Sequence, residues 1–212
     1  TDYIDLYRIH WPFENMQIDE AIETFEEMKR KGLIRYVGLS NFSKKDLEYC
    51  LSKTEIATYQ GLYNLLEPNS EIYHHKKLEY RSKKEILPIC KERGMAFLAY
   101  SPLFQGLLTG CFKLENNFDK NDDRAKNPKL NSDTYKFYYK IVEELKEIAK
   151  EIGKPLSQIS INWLVNQEEI GPVICSAQTP EQIEENVEST SWTLTKDIEE
   201  RIEGILKKYN II

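Results

Sequence analysis

Five short apolar runs in this 212-residue chain end in side chains that could do chemistry. YIDLYRIH runs to His10 and then Trp11. LIRYVGLS runs to Ser40 and then Asn41. IATYQGLYN carries Gln60 and leaves through Tyr63 and Asn64. MAFLAY ends in Tyr100 and passes to Ser101 and Pro102. GPVICSA ends in Cys175, Ser176 and Ala177. The set is one imidazole, several amides, several hydroxyls and an aromatic face. Asn, Gln and Ser supply both donors and acceptors, which a planar ring bearing a carboxamide needs. A tyrosine face can stack on such a ring. No pair of carboxylates suited to glycoside hydrolysis meets at these ends. Taken singly, Ser40 or Ser101 is most simply a turn former or helix cap, and His10 is as readily structural as catalytic. The five ends together are what ask for an explanation.

The elements between them are legible from hydrophobic period. Residues 18–31 place Ile18, Ala21, Ile22, Phe25 and Met28 on one face at helical spacing, with acidic residues at the start, basic ones at the end and Gly32 as the stop. Ser43 caps a helix in KKDLEYCLSK, with Asp46 three residues on. Tyr73, His74 and His75 fall in a polar loop, read as solvated rather than metal-binding. Helix 83–93 contains Pro88, which should kink or shorten it. Residues 113–131 read as a long polar loop, either disordered or folded over a bound phosphate through Arg124. Helices follow at 133–152, 155–167, 180–187 and 195–209. Strands alternating with helices, each strand a near-continuous apolar run, imply a parallel sheet buried on both faces with right-handed crossovers. The choice is an open doubly wound sheet or a barrel. The dinucleotide GxGxxG and the P-loop are absent, which favours the barrel. A whole (β/α)8 barrel needs eight strands and roughly 250 residues. The expectation is therefore an incomplete (β/α)8 barrel of about five parallel strands, forming one domain over residues 1–212.

Composition sets limits. A hydrophobic content of 41% and a charged content of 30% suit a soluble globular protein. A net charge of -6 argues against a nucleic-acid partner. No apolar run reaches the roughly 18 residues of a membrane helix, and Asp2 and Asp5 interrupt any signal-peptide core. Cysteines 50, 90, 111 and 175 lack metal-ligand spacing and read as free thiols of a reducing, cytoplasmic compartment, with Cys175 inert if buried.

The motifs in order resemble the C-terminal portion of the aldo-keto reductase superfamily. TDYIDLYRIHWP resembles that family's fourth strand and its histidine, and GLIRYVGLSNF its fifth with a Ser-Asn pair. YQGLYNLLEP resembles the sixth, AYSPLFQGLLTG the seventh, and VICSAQTPEQIEENV the eighth with the helix after it. The resemblance implies reduction of aldehydes or ketones by a nicotinamide dinucleotide, without a metal. It implies that His10 orients the substrate carbonyl or tunes the proton donor, with Trp11 and Phe13 as an apolar substrate wall. Ser40, Asn41 and Gln60 would hold the nicotinamide carboxamide, and Tyr100 would stack on the ring. Ser101, Leu103, Gln105 and Gly106 would line the pyrophosphate, and Ser176, Gln182, Glu185 and Asn186 the adenosine.

The chain departs from the family pattern twice. The family's aspartate, tyrosine and lysine lie on earlier strands, so the resemblance implies a chain that lacks the proton donor and is inactive alone. Ala177, Gln178 and Gln182 stand where basic residues usually grip a 2′-phosphate, so NADP(H), which the resemblance implies, competes with NAD(H) or no cofactor. The open strand edges at YIDLYRIH and GPVICSA invite self-association. The alternative is a non-catalytic dinucleotide-binding or protein-interaction subunit on the same scaffold.

Overall fold

A computed structural model of the chain describes residues 1–115 and 118–212. Asn116 and Asn117, inside the expected loop 113–131, lie outside the described residues. The elements run β1 (Ile4–Ile9), α1 (Ile18–Arg30), β2 (Ile34–Ser40), α2 (Lys44–Lys53), β3 (Thr58–Leu62), β4 (Ile72–Tyr73), β5 (Lys76–Lys77), α3 (Leu87–Arg93), β6 (Ala96–Tyr100), α4 (Ser132–Ile152), α5 (Leu156–Val165), β7 (Ile170–Ile174), α6 (Pro180–Glu188) and α7 (Lys196–Lys208). The five long strands form one parallel sheet in the order β1-β2-β3-β6-β7. Parallel neighbours cannot be joined by tight turns, and the helices are the crossovers that this geometry demands.

Local chemistry explains the boundaries. Ser43 Oγ accepts from the backbone N–H of Asp46 and donates to its carboxylate at 2.7 Å, which satisfies the first turn of α2. Gly153, at φ 66°, ends α4 in the left-handed conformation that a side chain resists. Pro88 has no N–H to return to Lys84, and the chain ahead of it widens into a π turn at Ser82–Ile86 before α3 begins.

One face of the sheet carries Val37, Leu39, Tyr59, Phe97 and Ala99 and is buried with apolar residues of the helices, among them Ile22, Phe25, Leu47 and Ile202. Tyr7 meets Phe25 of α1 edge-on at 6.1 Å. The expectation of burial on both faces is corrected: Ile4 and Tyr36 keep 46% and 55% of their surface exposed, and β1 and β7 have mixed burial. The other face carries the Arg8 guanidinium, which donates to Gln60 Oε1 and, at 3.5 Å, to Thr58 Oγ1. Gly38 makes room for it, since a Cβ there would stand 2.4 Å from Thr58 Oγ1 and 3.1 Å from Arg8 Nε.

Two loops also differ from expectation. The Tyr73–His75 loop is the turn of a small antiparallel hairpin, β4-β5, because Ile72 pairs with Lys77 and Tyr73 with Lys76. Between residues 118 and 131 the chain folds into two short 3-10 turns, Asp123–Lys126 and Pro128–Leu130, each opened by a side chain that caps it, Asp122 and Asn127. Lys129 explains their order: its ammonium lies 2.5 Å from the buried Glu67 carboxylate and 2.6 Å from the Ile72 carbonyl. Glu67 accepts in turn from Asn64 Nδ2 at 2.8 Å. A buried pair held by further hydrogen bonds is costly to break from one side. Gly38→Ala is expected to lower stability by about 1–3 kcal/mol through overpacking, with partial recovery in Gly38→Ala/Thr58→Ala; urea denaturation of the three chains checks this.

Candidate active site

The carboxyl ends of all five parallel strands open into one cleft of about 1160 Å³. Of the site residues nominated by sequence, His10, Trp11, Asn41, Gln60, Tyr100, Ser101, Leu103, Gln105, Gly106, Ser176, Gln182, Glu185 and Asn186 line it. Ser40 does not. It is fully buried and accepts from Asn41 Nδ2 at 3.0 Å, so it supports the cleft from beneath. Ligands at open α/β sheets gather at such carboxyl ends.

The backbone marks the same place. Among the described residues seven other than glycine have positive φ; Asn41, Ser101 and Gln105 line the cleft, and His74 and Phe104 stand next to residues that do. Asn41 and Ser101 are the first residues beyond β2 and β6. Left-handed backbone at a bulky residue such as Phe104, φ 46°, costs free energy and persists where the surroundings over-determine it. The turn is fixed by hydrogen bonds from Phe104 N to Ser101 O, from Gly106 N to Leu103 O and from Leu108 N to Leu103 O, of 2.9 to 3.1 Å.

Asn41 is the hub. Its Oδ1 accepts from Tyr80 and Tyr100 hydroxyls, each at 2.9 Å, and its Nδ2 donates to His10 O and Ser40 Oγ, each at 3.0 Å. Two donors and two acceptors exhaust a carboxamide, so Asn41 reaches the cleft with no hydrogen bond to spare. Gln60 differs. Its Oε1 is taken by Arg8, while its Nε2 has no protein partner among the described residues. Gln60 is therefore a free amide donor at the strand ends, as Gln178, Gln182 and Asn186 are beyond β7 and along α6. The Tyr80 hydroxyl also accepts from Leu62 N at 3.0 Å, and burial pushes it up to about 12. Burial, with Tyr80 beside it, raises Tyr100 further.

The β4-β5 hairpin straps the mouth. Its Lys76 ammonium sits 4.9 Å over the Trp11 ring, and Tyr73 meets Tyr100 edge-on at 5.0 Å. Gln105 Nε2 lies 2.8 Å from His74 Nε2 and 3.1 Å from its Nδ1, and donates to whichever nitrogen carries the lone pair. Gln105 Oε1 accepts from Asn127 at 2.5 Å. The Gln105 amide thus ties the hairpin to the 3-10 turns. Burial lowers the His74 proton affinity, against opposing pulls from Asp123 and Glu67.

Sequence reasoning missed Tyr73, Asp122, Asp123 and Ser157, which also line the cleft. Their only signals were a tyrosine in a polar loop, a short acidic run and a serine near the start of a helix. Arg124, which it did single out, lines the cleft, but both Asp122 oxygens take its guanidinium, which also lies 4.9 Å over Phe118. The pairing holds the Asp122 carboxyl down at about 2. The Cys175 thiol, partly buried in the wall, is pushed up to about 11 by desolvation, which makes it a poor nucleophile. Among the described residues no cluster of His, Cys, Asp and Glu could hold a metal, and no helix is long and apolar enough to cross a membrane.

Comparison with known proteins completes the description. A sequence profile described as the Aldo/keto reductase family matches residues 1–207. The chain is 33% identical over 208 residues to aldo-keto reductase YhdN of Bacillus subtilis, covering 98% of this chain and 59% of that protein. It is 26% identical over 198 residues to the NADH-specific methylglyoxal reductase of Escherichia coli, covering 92% and 56%. The structure superposes on the glycerol dehydrogenase AKR11B4 of Gluconobacter oxydans with a TM-score of 0.84 at 28% identity, over 98% of this chain and 60% of that one. The chain thus spans less than two thirds of the length of each.

Asn41→Ala is expected to cost about 2–3 kcal/mol, because it strands two buried tyrosine hydroxyls and the support of His10 O; thermal and urea unfolding measure it. A second outcome concerns pH. With the folded His74 depressed below its ordinary 6.5, the unfolded chain takes up the proton first as pH falls. Stability should fall as pH drops through the ordinary 6.5, and less steeply in His74→Asn, whose side chain tolerates positive φ. Equal slopes for the two chains would contradict this.

Proposed function

The chain belongs to the aldo/keto reductase family, and on that footing we propose that the cleft holds a nicotinamide dinucleotide and presents it to a small carbonyl compound. What carries the reading is the convergence of thirteen nominated residues, from five strand ends and α6, on one cleft. On the same reading the five-stranded sheet is part of a (β/α)8 barrel. The span suits the ligand: four inter-strand spacings of about 4.8 Å place the end of β1 up to about 19 Å from the end of β7. A relative named as an NADH-specific methylglyoxal reductase supports both the cofactor class and the carbonyl substrate class.

Gln60 Nε2 donates to the nicotinamide carboxamide oxygen, and Tyr100, immobilised by Asn41 and Tyr80, offers its ring edge and face. Ser101, Leu103 and Gly106 line the pyrophosphate with the strained turn, while Gln105 acts by fixing that turn to the hairpin. Ser176, Gln182, Glu185 and Asn186 lie along the adenosine. His10 stands at the other end, its carbonyl fixed by Asn41 and its exposed ring directed to the substrate oxygen beside Trp11. When bound, the reduced dinucleotide supplies a hydride, and the residues here supply position. The alkoxide also needs a proton. Among the described residues the tyrosines of the cleft are Tyr73 and Tyr100, and burial raises both. Both are weak acids, which suits them to holding the ring rather than to giving up a proton.

Titration of the folded chain with NADH and NADPH, followed by tryptophan fluorescence, tests the reading. Micromolar binding of at least one is expected, weakened about tenfold by Gln60→Met through loss of one hydrogen bond. A folded chain that binds neither would refute it.

A further inference from the structure

The charge of the cleft wall goes beyond the cofactor class. Of the charged side chains that line it, Asp122, Asp123 and Glu185 are carboxylates and Arg124 is the single guanidinium. Arg124 is already paired: Nε donates to both Asp122 oxygens at 2.9 Å and Nη2 to one of them at 2.5 Å. Glu185 accepts from the buried Ser157 hydroxyl, which holds it in the wall. The helix behind it offers no relief. α6 carries four glutamates in nine residues, one of them, Glu181, in its first turn, and no basic residue in its last. The other polar side chains at this end, Ser176, Gln178, Gln182 and Asn186, are neutral, and Gln182 Oε1 is occupied by Gln178 N at 2.7 Å.

Along this wall an additional phosphate dianion would meet carboxylates whose cations are already engaged, Asp122 with Arg124 and Asp123 with Lys126 at 3.2 Å, and one, Glu185, with no cation beside it among the described residues. A diphosphate can be held by backbone N–H groups and hydroxyls, but a monophosphate ester on a ribose usually draws on Arg or Lys. Resting on the dinucleotide reading above, we infer that the cleft selects the dinucleotide without a 2′-phosphate: this chain takes NADH and rejects NADPH. Glu185, unpaired by any cation among the described residues, is the residue that discriminates, by repulsion rather than by contact.

Parallel titrations with NADH and NADPH at low and high salt test it. The expected result is a dissociation constant at least about tenfold weaker for NADPH at low salt, with the gap narrowing as salt screens the wall. Gln182→Arg should cut the NADPH-to-NADH ratio by about tenfold, by supplying the missing cation. Equal or tighter NADPH binding by the unaltered chain would overturn the inference while leaving the dinucleotide reading intact. So would NADPH binding that is lost in Arg124→Ala, since Arg124 would then have left Asp122 for the phosphate. Binding of neither nucleotide overturns both.

Discussion

The carboxamide of Asn41 is the interaction on which the cleft depends. Through two donated and two accepted hydrogen bonds it joins the end of β1, the end of β2, the Tyr80 segment and the end of β6. Ser40, Asn41, Tyr80 and Tyr100 are all buried, so their hydrogen bonds have little water to fall back on, while His10 is exposed. In a low-dielectric setting such a network is firm when complete and costly when any member is lost. Its φ of 62°, which asparagine tolerates better than most side chains, aims this amide inward. The outcome is a floor on which Gln60 and His10 keep polar atoms available for a ligand.

The rim is built on a second principle, charge and amide pairs that lock flexible segments onto that floor. Lys129 binds Glu67, and Gln105 bridges His74 and Asn127. These contacts explain why a hairpin of two-residue strands and a run of short 3-10 turns keep defined positions although neither has a core of its own. They also place the Lys76 ammonium over Trp11, so the substrate end of the cleft is framed by an aromatic ring and a cation.

Much of the sheet was legible because its signals are local. Apolar runs ending at His10, Ser40, Tyr100 and Ala177 carry strand character in their own residues, and Ser43 and Gly153 carry their helix ends. The convergence of the strand ends could be reasoned from parallel topology. The committed state of Asn41 could not, since its partners Tyr80 and Tyr100 lie 39 and 59 residues away and no periodicity links them. The hairpin at 72–77 was hidden for a similar reason: its strands are too short for an alternating pattern, and His74 owes its half-buried place to Gln105. Arg8 is the converse case, a charge inside a strand that becomes intelligible only beside Gly38.

The central claim is that the strand ends form a dinucleotide site in which Gln60 is free to bind and Asn41 is already committed. The most direct test follows the side-chain amide resonances of both residues by NMR as NADH is added. The account predicts that the Gln60 amide shifts with saturation while the Asn41 amide stays protected and unmoved. Shifts absent from Gln60, Trp11 and Ser176, or an Asn41 amide that leaves its tyrosines for the ligand, would contradict it.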